Sequence, residues 1–181
     1  MASANTAPSP GAGELFQLFR DGSARTKAEL IELTGLSRTT VSARVDALLA
    51  TGLVTPAGEA ASSGGRPPAR VAFNPDARVL VAVDLGATHG STAVCDLAGR
   101  VLAARRTETP IAAGPLEVLG WATRAAKELL EETGRDMSEL VGVGIGVPGP
   151  VEHATGRPTN PPIMPGWDRF DIPGYIAETF P

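Results

Sequence analysis

Apolar residues recur at helical spacing in three groups before residue 50. The first group predicts a short amphipathic helix that ends at Asp21 and Gly22, because an Asp-Gly pair favours a turn. The second and third groups predict two further helices, each with one apolar face. The groups are Leu15, Leu18 and Phe19; Leu30, Ile31 and Leu33; and Val41, Val45, Leu48 and Leu49.

The residues between these groups predict how the helices begin and end. Thr26 and Glu29 have the spacing of a capping box, which starts the second helix. Gly35 suits the left-handed residue that closes a helix, and Ser37 is placed to cap the third helix after a short turn. The pattern predicts a helix-turn-helix. The alternative is a three-helix bundle whose polar face is only solvated.

Two short strands with a glycine-rich connection follow the helices. Residues 53–55 and 70–73 have strand-like composition, and residues 58–68 between them contain Gly64, Gly65 and Arg66. The combination predicts a winged helix. An arginine on such a wing can enter a narrow A·T minor groove, where the negative potential is deepened. Alternatively, the two glycines only form the turn and Arg66 is solvated.

Groove geometry assigns roles to the third helix. Its N-terminal half would enter the major groove of double-stranded DNA, where Arg38 and Thr39 are expected to meet base edges. Operators commonly consist of two half-sites, so a homodimer is expected. Thr40, Ser42 and Arg44 are expected to contact phosphates. Ser37, at the cap of the same helix, completes the set of predicted DNA-binding residues.

The second half of the chain predicts an α/β unit. Strands are expected at residues 79–85, 90–96, 100–107 and 141–147, with a helix at 116–133 before the last of them. The last strand is a continuous apolar run, which is typical of a strand covered on both faces. A proline-rich loop and a final helix at 172–179 follow.

Composition and charge narrow the class of protein. The chain has 181 residues, 43% of them apolar, which is enough for one domain or two small ones. A single cysteine excludes a disulfide framework and favours a reducing compartment, so we expect a cytoplasmic protein. The net charge is −4, but residues 1–72 carry a net charge of +1 and residues 73–181 a net charge of −5. DNA binding must therefore depend on where the charges lie.

These patterns divide the chain into four parts. Residues 1–12 have neither positive charge nor an apolar core, so we expect a disordered tail and neither a secretion signal nor a membrane anchor. Residues 13–73 are the predicted winged helix, 74–78 a linker, and 79–181 the α/β unit.

Four motifs in order resemble the ROK family of repressors and sugar kinases, specifically its repressor branch. They are Gly-Gly-Arg-Pro in the wing, Val-Asp-Leu-Gly-Ala-Thr-His, Gly-Ile-Gly-Val-Pro-Gly-Pro-Val, and Asn-Pro-Pro followed by Pro-Gly-Trp-Asp. The resemblance runs from Glu14 to Pro181. It implies an actin-like sugar-kinase fold, of which residues 79–181 would form part of one lobe.

The resemblance also implies a phosphate-binding turn. Asp84, Gly86 and Thr88 occupy the positions that face nucleotide phosphates and magnesium in the family's kinases, and glycine lets backbone amides approach an anion. The pattern departs from the kinases at Ala87 and His89. The alternative is an ordinary hairpin turn.

The resemblance places Gly149 and Asn160 in loops that line the family's sugar pocket. The amide of Asn160 suits a sugar hydroxyl. The alternative is a proline-rich surface loop, in which Trp167 is expected to pack rather than bind.

The resemblance favours a regulator over an enzyme. The family's catalytic aspartate lies in an Asn-Asp motif that would follow Pro181, and no carboxylate here has that context, so we expect no catalysis, no cofactor and no metal. We interpret the chain as part of a longer regulator. It is predicted to repress carbohydrate genes and to sense a sugar or sugar phosphate. The alternatives are a fragment of a ROK sugar kinase and a module that binds protein rather than DNA.

The sequence also carries an expectation about stability. We expect residues 1–73 to be the more autonomous unit. The remainder would be marginal, because its sheet would expose a face of valine and isoleucine.

Overall fold

The computed structural model describes residues 11–59 and 67–180, and the chain divides into two compact units with the boundary between Ala77 and Arg78. The first unit contains three helices and a small antiparallel sheet with the strand order β1-β3-β2. Its elements are α1 (Ala12–Gln17), β1 (Arg25–Thr26), α2 (Lys27–Thr34), α3 (Arg38–Thr51), β2 (Val54–Glu59) and β3 (Ala69–Phe73).

The three helices of the first unit close around one core. Phe19 and Leu30 are fully buried, and Phe16 packs its edge against Phe73 at a ring-centroid distance of 5.6 Å. Burying an aliphatic or aromatic side chain of this size stabilises a fold by about 1.5–3 kcal/mol. The other buried apolar residues are Ala12, Leu15, Val41, Val45, Leu48, Val54 and Val71.

Strand β1 is an element that the sequence pattern did not predict. Arg25 pairs with Val71 and Thr26 with Arg70, so the start of α2 is tied to the β2–β3 hairpin. A strand of two residues is too short to show an alternation of apolar and polar positions, so the sequence pattern could not predict it.

The second unit is built on a four-stranded sheet with the order β6-β5-β4-β7. Neighbouring strands are antiparallel except β4 and β7, which run parallel with Val81 beside Val143. The elements are β4 (Val79–Leu85), β5 (Gly90–Asp96), β6 (Val101–Thr107), α4 (Pro115–Glu132), β7 (Leu140–Gly146), β8 (Val151–Glu152), β9 (Arg157–Pro158) and α5 (Ile172–Ala177). The predicted order of the main elements is confirmed. The short β8–β9 hairpin was not predicted.

Helix α4 covers the face of the sheet that carries the valines of β4. Val79, Val81 and Val83 on β4 are at most 5% exposed, and they share a core with the apolar side of α4. The expectation of an exposed valine face is therefore wrong for β4, whose alternation turns its valines toward α4, whereas Val101 on β6 and Val141 on β7 are exposed. The residues of α4 in this core are Val118, Leu119, Ala122, Ala126, Leu129 and Leu130.

The opposite face of the sheet carries small side chains. Ala82 and Gly144 are exposed there, and Ala93 and Gly142 are half-buried. Strand β7 is not covered on both faces as predicted, because Val141 is 55% exposed and Gly144 is also exposed. The run lacks polar side chains partly because it contains several glycines, and not only because the strand is buried.

The proline-rich loop is anchored by Trp167. Its side chain is fully buried, and its indole Nε1 donates a hydrogen bond to the carbonyl of Ile111 at 3.0 Å. Trp167 therefore packs, as expected. None of the described helices is both long and apolar enough to span a membrane.

Candidate nucleic-acid interface

Helix α3 is capped at its N-terminus as the sequence predicts. The hydroxyl of Ser37 accepts a hydrogen bond from the amide of Thr40 at 3.2 Å. It also lies 2.9 Å from the hydroxyl of Thr39 and 2.8 Å from that of Thr40. Gly35 adopts the left-handed conformation, with φ 67°, that closes α2. The turn between the two helices is thus fixed at both sides.

The two faces of α3 differ completely in exposure. Val41, Val45 and Leu48 are buried in the core of the first unit. The opposite stripe, spaced at i, i+4, i+7 and i+11, is exposed and has short side chains. It consists of Thr39, Ala43, Asp46 and Ala50. This outward stripe of α3 is the surface that could enter a groove of DNA.

Arg38 is exposed at the first position of α3. It lines a groove between α2, α3 and the β2–β3 hairpin, together with Lys27 and Arg70. Within the described residues the guanidinium of Arg38 has no hydrogen-bond or ion-pair partner, so it is available to an external acceptor. Lys27 and Arg70 are each paired with a carboxylate, Asp46 and Glu29, so within the described residues Arg38 is the cation of this groove that has no ion-pair partner.

Ser42 is engaged by neighbours on the same surface. Its hydroxyl accepts a hydrogen bond from the ammonium of Lys27 at 2.8 Å, and the same ammonium lies 3.0 Å from Oδ1 of Asp46. Lys27 is the first residue of α2, so this contact joins the two helices of the helix-turn-helix. A phosphate contact at Ser42 would have to share its hydroxyl with Lys27.

Arg44 is turned away from the outward stripe. Its side chain is only 18% exposed and its guanidinium lies 3.6 Å from Glu14 on α1. Any side chain at Gly11 would collide with this guanidinium. The geometry thus favours a role in holding α1 against α3 over the predicted phosphate contact.

Arg66 lies outside the described residues, as do Gly64 and Gly65, so the wing contact remains a prediction. The strands that carry the wing are described, and they pair antiparallel with a register shift between Pro56 and Glu59.

Lys27 and Arg70 also belong to this surface, although the sequence pattern did not predict them. Arg70 lies 3.6 Å from Oε1 of Glu29, and its Nε is buried without a hydrogen-bond partner. The amide of Thr26 donates to the Glu29 carboxylate at 2.6 Å, and this bond is the main reason that the pKa of Glu29 is lowered. A basic residue directly after a predicted N-cap was the available signal for Lys27.

The predicted phosphate-binding turn lies at the carboxyl ends of the parallel pair β4 and β7. Asp84 pairs with Gly146, and a Cβ at Gly146 would lie 3.3 Å from the Asp84 carboxylate. The amide of Gly86 donates to the carbonyl of His89 at 2.8 Å, so it is used inside the turn. The hydroxyl of Thr88 lies 3.3 Å from Nδ1 of His89. Only part of the expected donor set is therefore free to meet an anion.

The two sugar-pocket candidates differ in their surroundings. A Cβ at Gly149 would lie 2.8 Å from Sδ of Met164 and 3.0 Å from Cβ of Pro161, so this glycine is required by packing. Asn160 has a positive φ of 44°, and its backbone N–H donates to Oδ1 of Asp168 at 2.8 Å. Its side chain is exposed and remains a candidate ligand contact.

Comparison with known proteins agrees with the two-unit organisation. Residues 15–55 match the pattern of winged helix-turn-helix DNA-binding domains, and residues 80–181 match the pattern of the ROK family. The solved structure of a ROK family transcriptional regulator, described as a homologue of the E. coli MLC protein, superposes with a TM-score of 0.71 at 18% identity. It covers 93% of this chain and 42% of that chain, and at this identity it shows the fold alone.

Two curated relatives carry the same name. The xylose repressor of Bacillus subtilis strain 168 is 30% identical over 157 residues, and that of Bacillus spizizenii is 28% identical over 155 residues. Each match covers 86% of this chain and 40% of the relative, so the chain spans well under half the length of these relatives. The ROK pattern covers more than half of the chain, and the chain therefore belongs to the ROK family.

Proposed function

We propose that this chain is a transcriptional repressor of carbohydrate genes that binds operator DNA through its winged helix-turn-helix. The observation that carries the proposal is the capped helix α3, which presents an exposed outward stripe beside Arg38, a side chain with no partner among the described residues. The names of the xylose repressors support a role in sugar regulation. A DNA partner is consistent with a protein of the bacterial cytoplasm.

The side chains divide by their position on the surface. We assign base contacts to Arg38 and Thr39, at the N-terminal end of α3. Thr40 and the Ser37 cap face the same end and suit phosphate contacts. Lys27 and Arg70 flank α3 and would add phosphate contacts that fix its register. Binding as a homodimer would place two copies of α3 on successive half-sites.

The second unit is proposed to contribute to effector binding. Asn160 offers an exposed amide on the loop anchored by Trp167, and an amide can donate to and accept from a sugar hydroxyl. The effector class is a sugar or a sugar phosphate. Asp84, Gly86 and Thr88 are proposed as the place where the phosphate of such an effector would lie.

We propose that the chain is not an enzyme. A sugar kinase needs a carboxylate base at the sugar and amides that cradle the nucleotide phosphates. The amide of Gly86 is already bonded to His89, and Ala87 replaces the usual second glycine of the turn. Sugar-dependent release of ADP above a no-enzyme blank, measured on the full chain with a panel of pentoses and hexoses, would overturn this assignment.

The DNA-binding proposal is tested by selecting bound duplexes from a randomised library and measuring affinity for the enriched sequence at several salt concentrations. We expect two copies of one half-site about 10 base pairs apart, centre to centre. We also expect log K to fall with log salt by about 0.9 for each phosphate contact. A chain that enriches no sequence at any salt concentration would contradict the proposal and favour a protein partner.

The effector proposal has its own measurement. Affinity for the enriched duplex is compared with and without xylose, glucose and their phosphates. A sugar that changes the affinity of the wild-type chain but not of the Asn160→Ala variant would support the assignment of Asn160. An unchanged response in that variant would place the effector elsewhere.

A further inference from the structure

The outward stripe of α3 contains a carboxylate where a DNA-binding helix would be expected to carry neutral or basic side chains. Asp46 lies on the stripe with its side chain 63% exposed, opposite the buried Val45 and Leu48. A carboxylate that faces phosphates weakens association with any DNA sequence. A specific role at this position would offset that cost.

Two neighbouring side chains contact the carboxylate of Asp46. Oδ1 lies 3.0 Å from the ammonium of Lys27, whereas the hydroxyl of Ser42 approaches Oδ2 only at 3.4 Å. A carboxylate has about four acceptor positions on its two oxygens. Lys27 therefore neutralises part of the charge, while Oδ2 keeps capacity to accept further hydrogen bonds.

The neighbours of Asp46 allow a base to come close. Ala43 lies about one turn before it on the stripe and Ala50 about one turn after it, and both are exposed. An aspartate side chain is short, so it can meet a base edge only if the flanking side chains are also short. Two alanines satisfy this condition.

We propose that Asp46 determines operator specificity by accepting a hydrogen bond from the N4 amino group of cytosine in the major groove. Among the major-groove base edges, the amino groups of cytosine and adenine are the donors, and a carboxylate characteristically pairs with that of cytosine, whereas an asparagine pairs with adenine. Lys27 acts as a positioning residue for the carboxylate. The inference rests on the proposed DNA-binding function.

The position of the cytosine relative to the contacts of Thr39 follows from the helix. Seven residues separate Thr39 from Asp46, which is about 10 Å along the axis of α3. The cytosine preference is therefore expected in the same half-site as the contact made by Thr39, but at a different base position.

The test is selection from a randomised duplex library with the full wild-type chain and the variants Asp46→Asn, Asp46→Ala and Glu32→Gln. The last variant removes the same charge from α2, outside the stripe, and is the matched control. We expect the wild type and the control to enrich cytosine at one position of each half-site by about fivefold or more. Asp46→Asn should shift this position toward adenine, and Asp46→Ala should leave it without preference.

The outcomes separate the inference from the proposed function. If the Asp46 variants enrich the same half-site as the wild type and change only the overall affinity, Asp46 merely ties Lys27 to α3 and the inference is overturned, while the DNA-binding function stands. If the wild type enriches no sequence, both are overturned. Thermal unfolding followed by circular dichroism identifies any variant that fails to fold, and Asp46→Asn keeps an oxygen for Lys27, so it is expected to fold.

Discussion

At the scale of single residues, the arginines of the first unit fall into two groups. Arg38 is exposed and without a partner in the described part of the chain, whereas Arg44 is largely buried and paired with Glu14. Sequence spacing placed both of them off the buried stripe of α3. Only the packing of α1 against α3 distinguishes them, and that packing involves residues far apart in the sequence.

This difference predicts opposite phenotypes for two similar substitutions. Arg38→Ala should cost about 1–3 kcal/mol in binding to the selected duplex and relax the preference at one base position. Arg44→Ala should lower the midpoint of thermal unfolding and leave the base preference unchanged. Both are measured by duplex titration and by circular dichroism. A loss of affinity for selected and random DNA alike in Arg38→Ala would contradict the assignment.

Glu29 predicts a pH dependence of stability in the first unit. Hydrogen bonding from Thr26 lowers the pKa of Glu29 in the folded chain, so its stabilising effect is present above the unfolded pKa of about 4.5 and is lost as the pH falls through the lowered value. Glutamine can also complete a capping box. Glu29→Gln keeps the cap geometry but lacks the charge, so it should lower the unfolding temperature modestly at pH 7 and reduce its decline between pH 5 and 3.

Thermal unfolding of the wild type, Glu29→Gln and Glu29→Ala across this range provides the check, with Glu29→Ala as the control that loses the side-chain half of the capping box at every pH. Identical acid sensitivity in the wild type and Glu29→Gln would show that other carboxylates dominate the acid response.

At the scale of elements, the sequence predicted the helix caps and turns, because these depend on residues close together in the chain. The capping box at Thr26, the left-handed Gly35 and the Ser37 cap were readable because each depends on neighbours within a few residues. The alternation of Val79, Val81 and Val83 predicted a strand, but not which side would be covered. The buried side is the one against which α4 packs, and the sequence of a single strand does not show where a helix will pack.

The candidate site was less predictable than the fold for the same reason. Thr39 and Arg38 could be proposed from their place at the start of a helix. The pairing of Lys27 with Ser42 and Asp46 joins two helices, and only the tertiary structure shows it.

The cap of α3 makes a prediction about this element. Ser37→Ala should destabilise the first unit by about 1 kcal/mol, because the amide of Thr40 loses its acceptor. Ser37→Asp should retain the stability, since aspartate is an equally good cap, while its added charge weakens DNA binding. Urea unfolding and duplex titration measure the two effects. Equal stability of the wild type and Ser37→Ala would show that the cap contributes nothing.

At the scale of the whole molecule, each unit has a closed core of its own. The core of the second unit includes fully buried Trp167 and Leu119 beside the valines of β4. This organisation argues against a marginal second half. It also suggests that the segment around Ala77 and Arg78 is the natural point of separation.

Limited proteolysis of the full chain should therefore give two resistant fragments. Cleavage near the boundary divides the 18.6 kDa chain into pieces of about 8 and 11 kDa, in proportion to their lengths. Mass spectrometry of the digest over time identifies them. Survival of the smaller fragment alone would show that the second unit is marginal after all, as the sequence first suggested.

The fixed turn between α2 and α3 affects the expected kinetics of DNA binding. Gly35, Ser37 and the contact of Lys27 with Asp46 set the angle of the two helices before any partner arrives. For this helix pair, binding to an operator then requires diffusion and orientation but no folding step, so association through α3 should follow a single exponential. Complexes with different operator sequences should differ mainly in their lifetimes, because related complexes differ mostly in their dissociation rates.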